Sequence, residues 1–155
     1  MIDLERRKVL KAGGSFGLLG LLASLGLVHS GVAMAERKAA VFEARSLDEL
    51  LDAMGAGIPG NSDSIQLAAP EIAENGAFVP VTITSNLPRT EQISILVEKN
   101  PNTLAANFIL PEGTEGLITT RIKMGQTDNV IALVKAGGKF YRVSREVRVT
   151  VGGCS

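Results

Sequence analysis

The chain has 155 residues, with 16 basic and 16 acidic side chains, one histidine, one cysteine and no tryptophan. A balanced charge argues against nucleic acid as a partner, because proteins that bind the phosphate backbone carry a basic excess. One cysteine excludes an internal disulfide, and the only histidine, His29, falls in an N-terminal leader, so the mature chain has none for a histidine-dependent triad or the common zinc sites.

Arg6 and Arg7, followed by Lys8, Val9, Leu10 and Lys11, match the twin-arginine export pattern. An apolar, glycine-rich stretch runs from Ala12 to about Val32, and Ala33-Met34-Ala35 supplies a small-x-small cleavage site. The apolar run is nearly long enough to anchor in a bilayer. The order of charge, apolar run and Ala-x-Ala favours cleavage instead. Residues 1–35 are therefore expected to be a signal peptide. The periplasm is the expected destination, with no membrane association after cleavage. The mature chain would begin at Glu36. It would keep 12 basic and 14 acidic residues, a net charge of −2, and lose His29.

A helix is signalled at Ser46, which with Glu49 forms a capping box. Leu47, Leu50, Leu51 and Met54 make one apolar stripe, and Gly55 can end the helix. A polar loop from Gly55 to about Asp63 follows. The pattern then turns to β: Ser64–Leu67, Phe78–Thr84, Gln92–Glu98, Phe108–Leu110, Leu117–Met124, Asn129–Lys135 and Lys139–Val151. Pro80 points to an edge strand for the second of these. The near-continuous apolar run of Asn129–Lys135 points to a central one. Ala136-Gly137-Gly138-Lys139 predicts a tight hairpin between the last two. About seven short strands predict an all-β fold, an immunoglobulin-like antiparallel β-sandwich spanning 36–151. One short N-terminal helix would pack at its end or edge. Apolar strands without aromatic cover predict a heterodimer through a sheet face or edge.

Beyond the last strand stand Gly152, Gly153, Cys154 and Ser155. Residues 152–155 are expected to form a mobile arm, since terminal residues and glycine pairs order poorly. Gly152 and Gly153 each extend the thiol by roughly 3.3–3.6 Å, which lets Cys154 reach about 10 Å beyond the domain. A lone thiol in an exported chain points to intermolecular pairing or a reactive sulfur. Nothing nearby in sequence would activate it, so it reads as an attachment point on which other enzymes act. No catalytic or metal-binding residue is expected in this chain. Asp63, Glu71 and Glu74 read as a solvated loop, and Arg121 and Lys123 as a polar sheet face.

The stretch Ala69-Pro70-Glu71-Ile72-Ala73-Glu74-Asn75-Gly76 is followed by Val79-Pro80-Val81, Thr120-Arg121-Ile122-Lys123-Met124 and the Gly-Gly-Cys tail. In this combination the chain resembles the SoxY family, the sulfur-carrier subunits of the periplasmic thiosulfate-oxidising (Sox) system. The resemblance implies a SoxZ-like subunit as heterodimer partner. It also implies transient SoxAX-, SoxB- and SoxCD-like enzymes that build, hydrolyse and oxidise sulfur species on Cys154. Those species, beginning with a cysteine S-thiosulfonate, would be the only group bound, with no other cofactor. Gly152 and Gly153 would be the swinging arm. The family usually ends Gly-Gly-Cys-Gly-Gly, whereas here Ser155 follows Cys154. The other reading is an exported subunit whose cysteine forms only a structural intermolecular disulfide.

Overall fold

The computed structural model, which describes residues 39–151, holds nine strands. These are β1 (Gly60–Asn61), β2 (Ile65–Ala68), β3 (Ile72–Ala73), β4 (Val79–Ser85), β5 (Thr90–Val97), β6 (Leu104–Ile109), β7 (Leu117–Ile122), β8 (Asp128–Ala136) and β9 (Lys139–Val149). The larger sheet runs β1-β9-β8-β5-β6, with β3 also paired to β9. The smaller sheet runs β2-β4-β7. All seven expected strands are present. The sandwich is antiparallel except along the outer edge of β9, where β1 and β3 pair in parallel.

Branched aliphatic side chains fill the space between the sheets. Val79, Val81 and Ile83 of β4 meet Ile93, Ile95 and Val97 of β5 and Val130, Ala132 and Val134 of β8. The intervening residues of β5 and β8 point the other way, as the period of two requires. There Leu96, Ile131 and Leu133 pack with Leu104 beneath helix α1 (Leu47–Met54). The helix thus covers the outer face of the larger sheet, not an end or edge of the sandwich. This explains why β8 is a continuous apolar run: it is buried on both faces. The helix begins as expected. Ser46 Oγ accepts the N–H of Glu49 at 3.2 Å, and the Glu49 carboxylate accepts the N–H of Arg45 at 3.0 Å. It ends at Gly55, with φ 65°. Leu50 and Leu51 are its buried residues.

Pro80 does not mark an edge strand, because β4 is the centre of the smaller sheet. The strand tolerates it for a local reason. Ser85 donates its N–H to Gly116 on the β7 side, so odd-numbered residues of β4 face β7 and even-numbered ones face β2. β2 pairs with β4 only from Thr82 to Ser85. The missing N–H of Pro80 is therefore aimed past the end of β2, where no ladder bond is lost.

Other departures are at strand ends. β6 begins at Leu104, well before the Phe108 start read from sequence. β7 stops at Ile122, although Met124 is still fully buried. β9 stops at Val149. Val147 and Val149 face the core, whereas Val151 is 63% exposed. The hairpin expected at Gly137-Gly138 is present, with both glycines at positive φ (55° and 75°) and Ala136 opposite Lys139. Among the described residues no helix is long and apolar enough to cross a membrane.

Candidate functional site: the root of the arm

Cys154, Gly152 and Gly153 lie outside the described residues, as do Arg6, Arg7 and the rest of segment 1–35. What the fold describes is the place from which Cys154 is tethered. Val151 is the last described residue, three positions before the thiol.

That place is built by strands and loops brought together from far apart in the chain. β3 runs parallel to β9, with Ile72 opposite Arg148 and Ala73 opposite Val149. Arg148 donates its N–H to the carbonyl of Glu71 at 2.9 Å, and Thr150 donates its N–H to Ala73 at 3.1 Å. The Thr150 hydroxyl donates to the carbonyl of Glu74 at 3.0 Å. Gly76 then donates its N–H to the carbonyl of Val151 at 2.7 Å, while its own carbonyl accepts the N–H of Met124 at 2.7 Å. Val149 is held from another direction by Thr127 Oγ1, at 2.9 Å.

The loop that does this is shaped locally by Asn75. Its side-chain oxygen accepts the N–H of Ala77 at 2.8 Å, an Asx turn that frees the Gly76 amide to face Val151. Ala73 and Met124 anchor the loop in the core. The three internal stretches that resemble the sulfur-carrier family therefore share one location. Residues 69–76 clamp the last strand, Val79–Val81 open β4 in the smaller sheet, and Thr120–Met124 lie across from β4, with Val79 opposite Ile122. Sequence reasoning reached the thiol but not this clamp. A two-residue strand has no periodicity to read, and its partner lies over seventy residues away.

The remaining sequence candidates form no centre. Asp63, Glu71 and Glu74 are exposed, and the last two contribute backbone carbonyls, not carboxylates. Arg121 near the end of β7 and Lys123 just beyond it are exposed, as expected of a polar sheet face. Among the described residues no group of three His, Cys, Asp or Glu side chains could hold a metal ion.

The opposite end of the sandwich carries a cleft of about 760 Å³, lined by Ser85, Leu87, Arg89, Glu112, Glu115 and Gly116 among others. Arg89 sits at φ 54°, in the left-handed region, at the turn into β5. Beside it the Glu91 carboxylate accepts the N–H of Gly138 at 2.9 Å and pairs with Lys135 at 3.1 Å. The Gly138 N–H first, and then Lys135, hold its pKa below the ordinary carboxylate value. The lining residues include no cysteine or histidine.

The fold and this site define a β-sandwich protein whose last strand is clamped at Val151, three residues before its single cysteine. The model of the sulfur oxidation protein family SoxY matches residues 51–154, well over half of the chain and inclusive of Cys154. The chain belongs to the SoxY family. The solved structure of the sulfur carrier protein SoxY from Chlorobium limicola f thiosulfatophilum is 41% identical, with a TM-score of 0.62. The match covers 68% of this chain and 97% of that one. A superoxide reductase (neelaredoxin) from Ignicoccus hospitalis matches at 14% identity and a TM-score of 0.46, over 56% of this chain and 80% of that one. That likeness is too slight to bear on fold or function. Among curated proteins, none matches the chain.

Proposed function

We propose that this chain is a covalent sulfur carrier in thiosulfate oxidation, holding its cargo on Cys154 and presenting it to enzymes that do the chemistry. The observation that carries this reading is the clamp on Val151. Backbone hydrogen bonds from Ala73 and Gly76 and the Thr150 hydroxyl fix the root of the tether. The sulfur carrier of known structure supports the same role.

In the loading step the Cys154 thiol loses its proton and a sulfur–sulfur bond forms to thiosulfate. Two electrons pass to an oxidant, a SoxAX-like cytochrome. Hydrolysis of the resulting S-thiosulfonate by a SoxB-like enzyme adds water, releases sulfate and two protons, and leaves a persulfide on Cys154. A SoxCD-like dehydrogenase would oxidise what remains. This chain contributes no acid, base or metal to these steps; it contributes the thiol, the Gly152-Gly153 arm and a fixed root. A SoxZ-like subunit completes the carrier as a heterodimer. Residues 1–35, with Arg6 and Arg7, direct export to the periplasm.

The test is intact mass spectrometry of the protein purified from its own host after thiosulfate feeding, with and without a thiol reductant. Reductant-sensitive additions of sulfur, sulfite or thiosulfate units, absent in Cys154→Ser, are the expected result. An unmodified thiol, or a single protein–protein disulfide and nothing else, would overturn the reading in favour of a structural subunit.

A further inference from the structure

Asn75 is the one asparagine in the sequence that is followed by glycine. In such a pair the side-chain carboxamide and the next backbone nitrogen can close into a five-membered imide, because glycine has no side chain to obstruct the ring. The fold treats the two reacting groups in opposite ways. Asn75 is exposed, and its side-chain oxygen accepts the Ala77 N–H at 2.8 Å. A donor on that oxygen draws electrons from Cγ and stabilises the oxyanion that forms when a nucleophile attacks there. The nucleophile, by contrast, is withheld. Gly76 is buried, and its N–H is donated to the Val151 carbonyl at 2.7 Å. The proton that must leave before this nitrogen can attack is tied up in the clamp.

We infer that Asn75 is a modification site, deamidated through attack by the Gly76 nitrogen, and that the clamp on Val151 sets the rate. When Val151 lifts away, hydroxide takes the Gly76 amide proton and the nitrogen bonds to Cγ of Asn75. The bond from Cγ to Nδ2 breaks, and ammonia leaves with a proton from water, which regenerates the hydroxide. Water then opens the imide. Attack at Cγ leaves an aspartate, and attack at the main-chain carbonyl of position 75 leaves an isoaspartate. Nothing is oxidised or reduced. The inference stands apart from the carrier reading, since no step involves Cys154.

The two products act differently on the arm root. An aspartate keeps an acceptor for the Ala77 N–H and an unaltered main chain, so the turn and the clamp persist. An isoaspartate routes the main chain through Cβ and Cγ and lengthens it by one carbon. Gly76 then loses its place between the Val151 carbonyl and the Met124 N–H, each of which it now meets at 2.7 Å. A fixed root becomes a loose one, and the change does not reverse.

The test compares the full chain with a variant ending at Thr150, which lacks the Val151 acceptor but keeps the bond from Thr150 to Ala73. Both are held at mildly alkaline pH, and peptide masses are followed for the exchange of ammonia for water at Asn75. The shortened chain is expected to deamidate there about five- to tenfold faster, the factor that one lost hydrogen bond represents. Unchanged protection of the Gly138 amide in hydrogen exchange shows that it is still folded. A second measurement needs no variant. In the full chain under rising, sub-denaturing urea, deamidation at Asn75 should climb in proportion to exchange of the Gly76 amide. Equal rates in the two folded chains, or deamidation that does not follow Gly76 exchange, would overturn the inference. The isolated isoaspartyl form should lack protection at Gly76, whereas Asn75→Asp should retain it; protection in both would show that the lesion leaves the clamp intact and would overturn the account of its effect. Cys154→Ser should deamidate at the rate of the natural chain, so this outcome and that of the sulfur-carrier test are independent.

Discussion

The two ends of the sandwich are held by different chemistry. At the arm end, backbone bonds at Glu71, Ala73 and Gly76 tie β3 and the following loop to the end of β9, and the Thr150 hydroxyl is the one side chain that adds to them. At the cleft end, side-chain bonds and an ion pair stand beside backbone bonds such as Ser85 to Gly116 and Leu110 to Glu91. Ser85 Oγ and Thr90 Oγ1 share a hydrogen bond of 2.7 Å, Thr90 Oγ1 also donates to the Leu87 carbonyl, and Glu91 holds the Gly138 turn and Lys135. Backbone bonds have no titration and little rotational freedom, so they fix position across a range of conditions. Side-chain bonds can respond to pH and to substitution. The end proposed to carry the thiol relies mainly on the first kind.

The largest expected effect comes from undermining the clamp through the core. Met124 is fully buried, and its N–H is donated to the Gly76 carbonyl. Met124→Ala should cost about 2–5 kcal/mol of stability by urea unfolding, the usual range for emptying such a site. It should also speed hydrogen exchange at the Gly76 amide beyond what global unfolding explains. Unchanged protection there would mean the clamp does not depend on the core beneath it.

Next in size is a test of the cleft end. A Cβ on Gly116 would lie 2.5 Å from the Ser85 carbonyl oxygen and 3.1 Å from the Ser85 Cβ. Backbone would have to move, and overpacking of this kind costs about 1–3 kcal/mol. Gly116→Ala should therefore lower the urea midpoint while leaving the alkylation rate of Cys154 untouched, because the arm root is at the other end of β4. A changed thiol reactivity would show that the two ends are coupled.

A smaller effect is expected from Thr150→Val, which removes the hydroxyl that donates to Glu74 but keeps the shape and the backbone bond to Ala73. The loss should be about 0.5–1.5 kcal/mol, the range for one hydrogen bond. It should be read in the thermal midpoint. A value near zero would sharpen the contrast by assigning the clamp to the backbone alone.

The smallest effect is the acid response. The Glu91 pKa is lowered in the fold, so its contribution is present above the ordinary carboxylate pKa and is lost as the pH falls through the lowered one. Protection of the Gly138 amide, corrected for intrinsic exchange, should fall over that window and be absent in Glu91→Gln at neutral pH. The Gly76 amide should not respond in the same window. If both amides responded together, the distinction between the ends would collapse.

Much of this molecule was legible in its sequence because the relevant signals are local. The period of two wrote β4, β5, β7 and β9, and an unbroken apolar run wrote β8. The Ser46–Glu49 box and the Leu50–Leu51 stripe wrote the helix, and the Gly137-Gly138 pair wrote the hairpin. The lone thiol beyond a glycine pair needed no fold to be noticed. Tertiary structure decided what depends on pairing across long separations. It placed the helix on the face of β5 and β8, where Leu96, Ile131 and Leu133 needed cover. It let Pro80 sit in a central strand, because β2 is too short to reach it. It also made strands of Gly60–Asn61 and Ile72–Ala73, which have too few residues to show a period and owe their conformation to the edge of β9. The clamp on Val151 belongs to this second class. Its hydrogen bonds run mainly through backbone groups, which no side-chain pattern announces, and only the fold brings Ala73, Gly76 and Met124 to the end of β9.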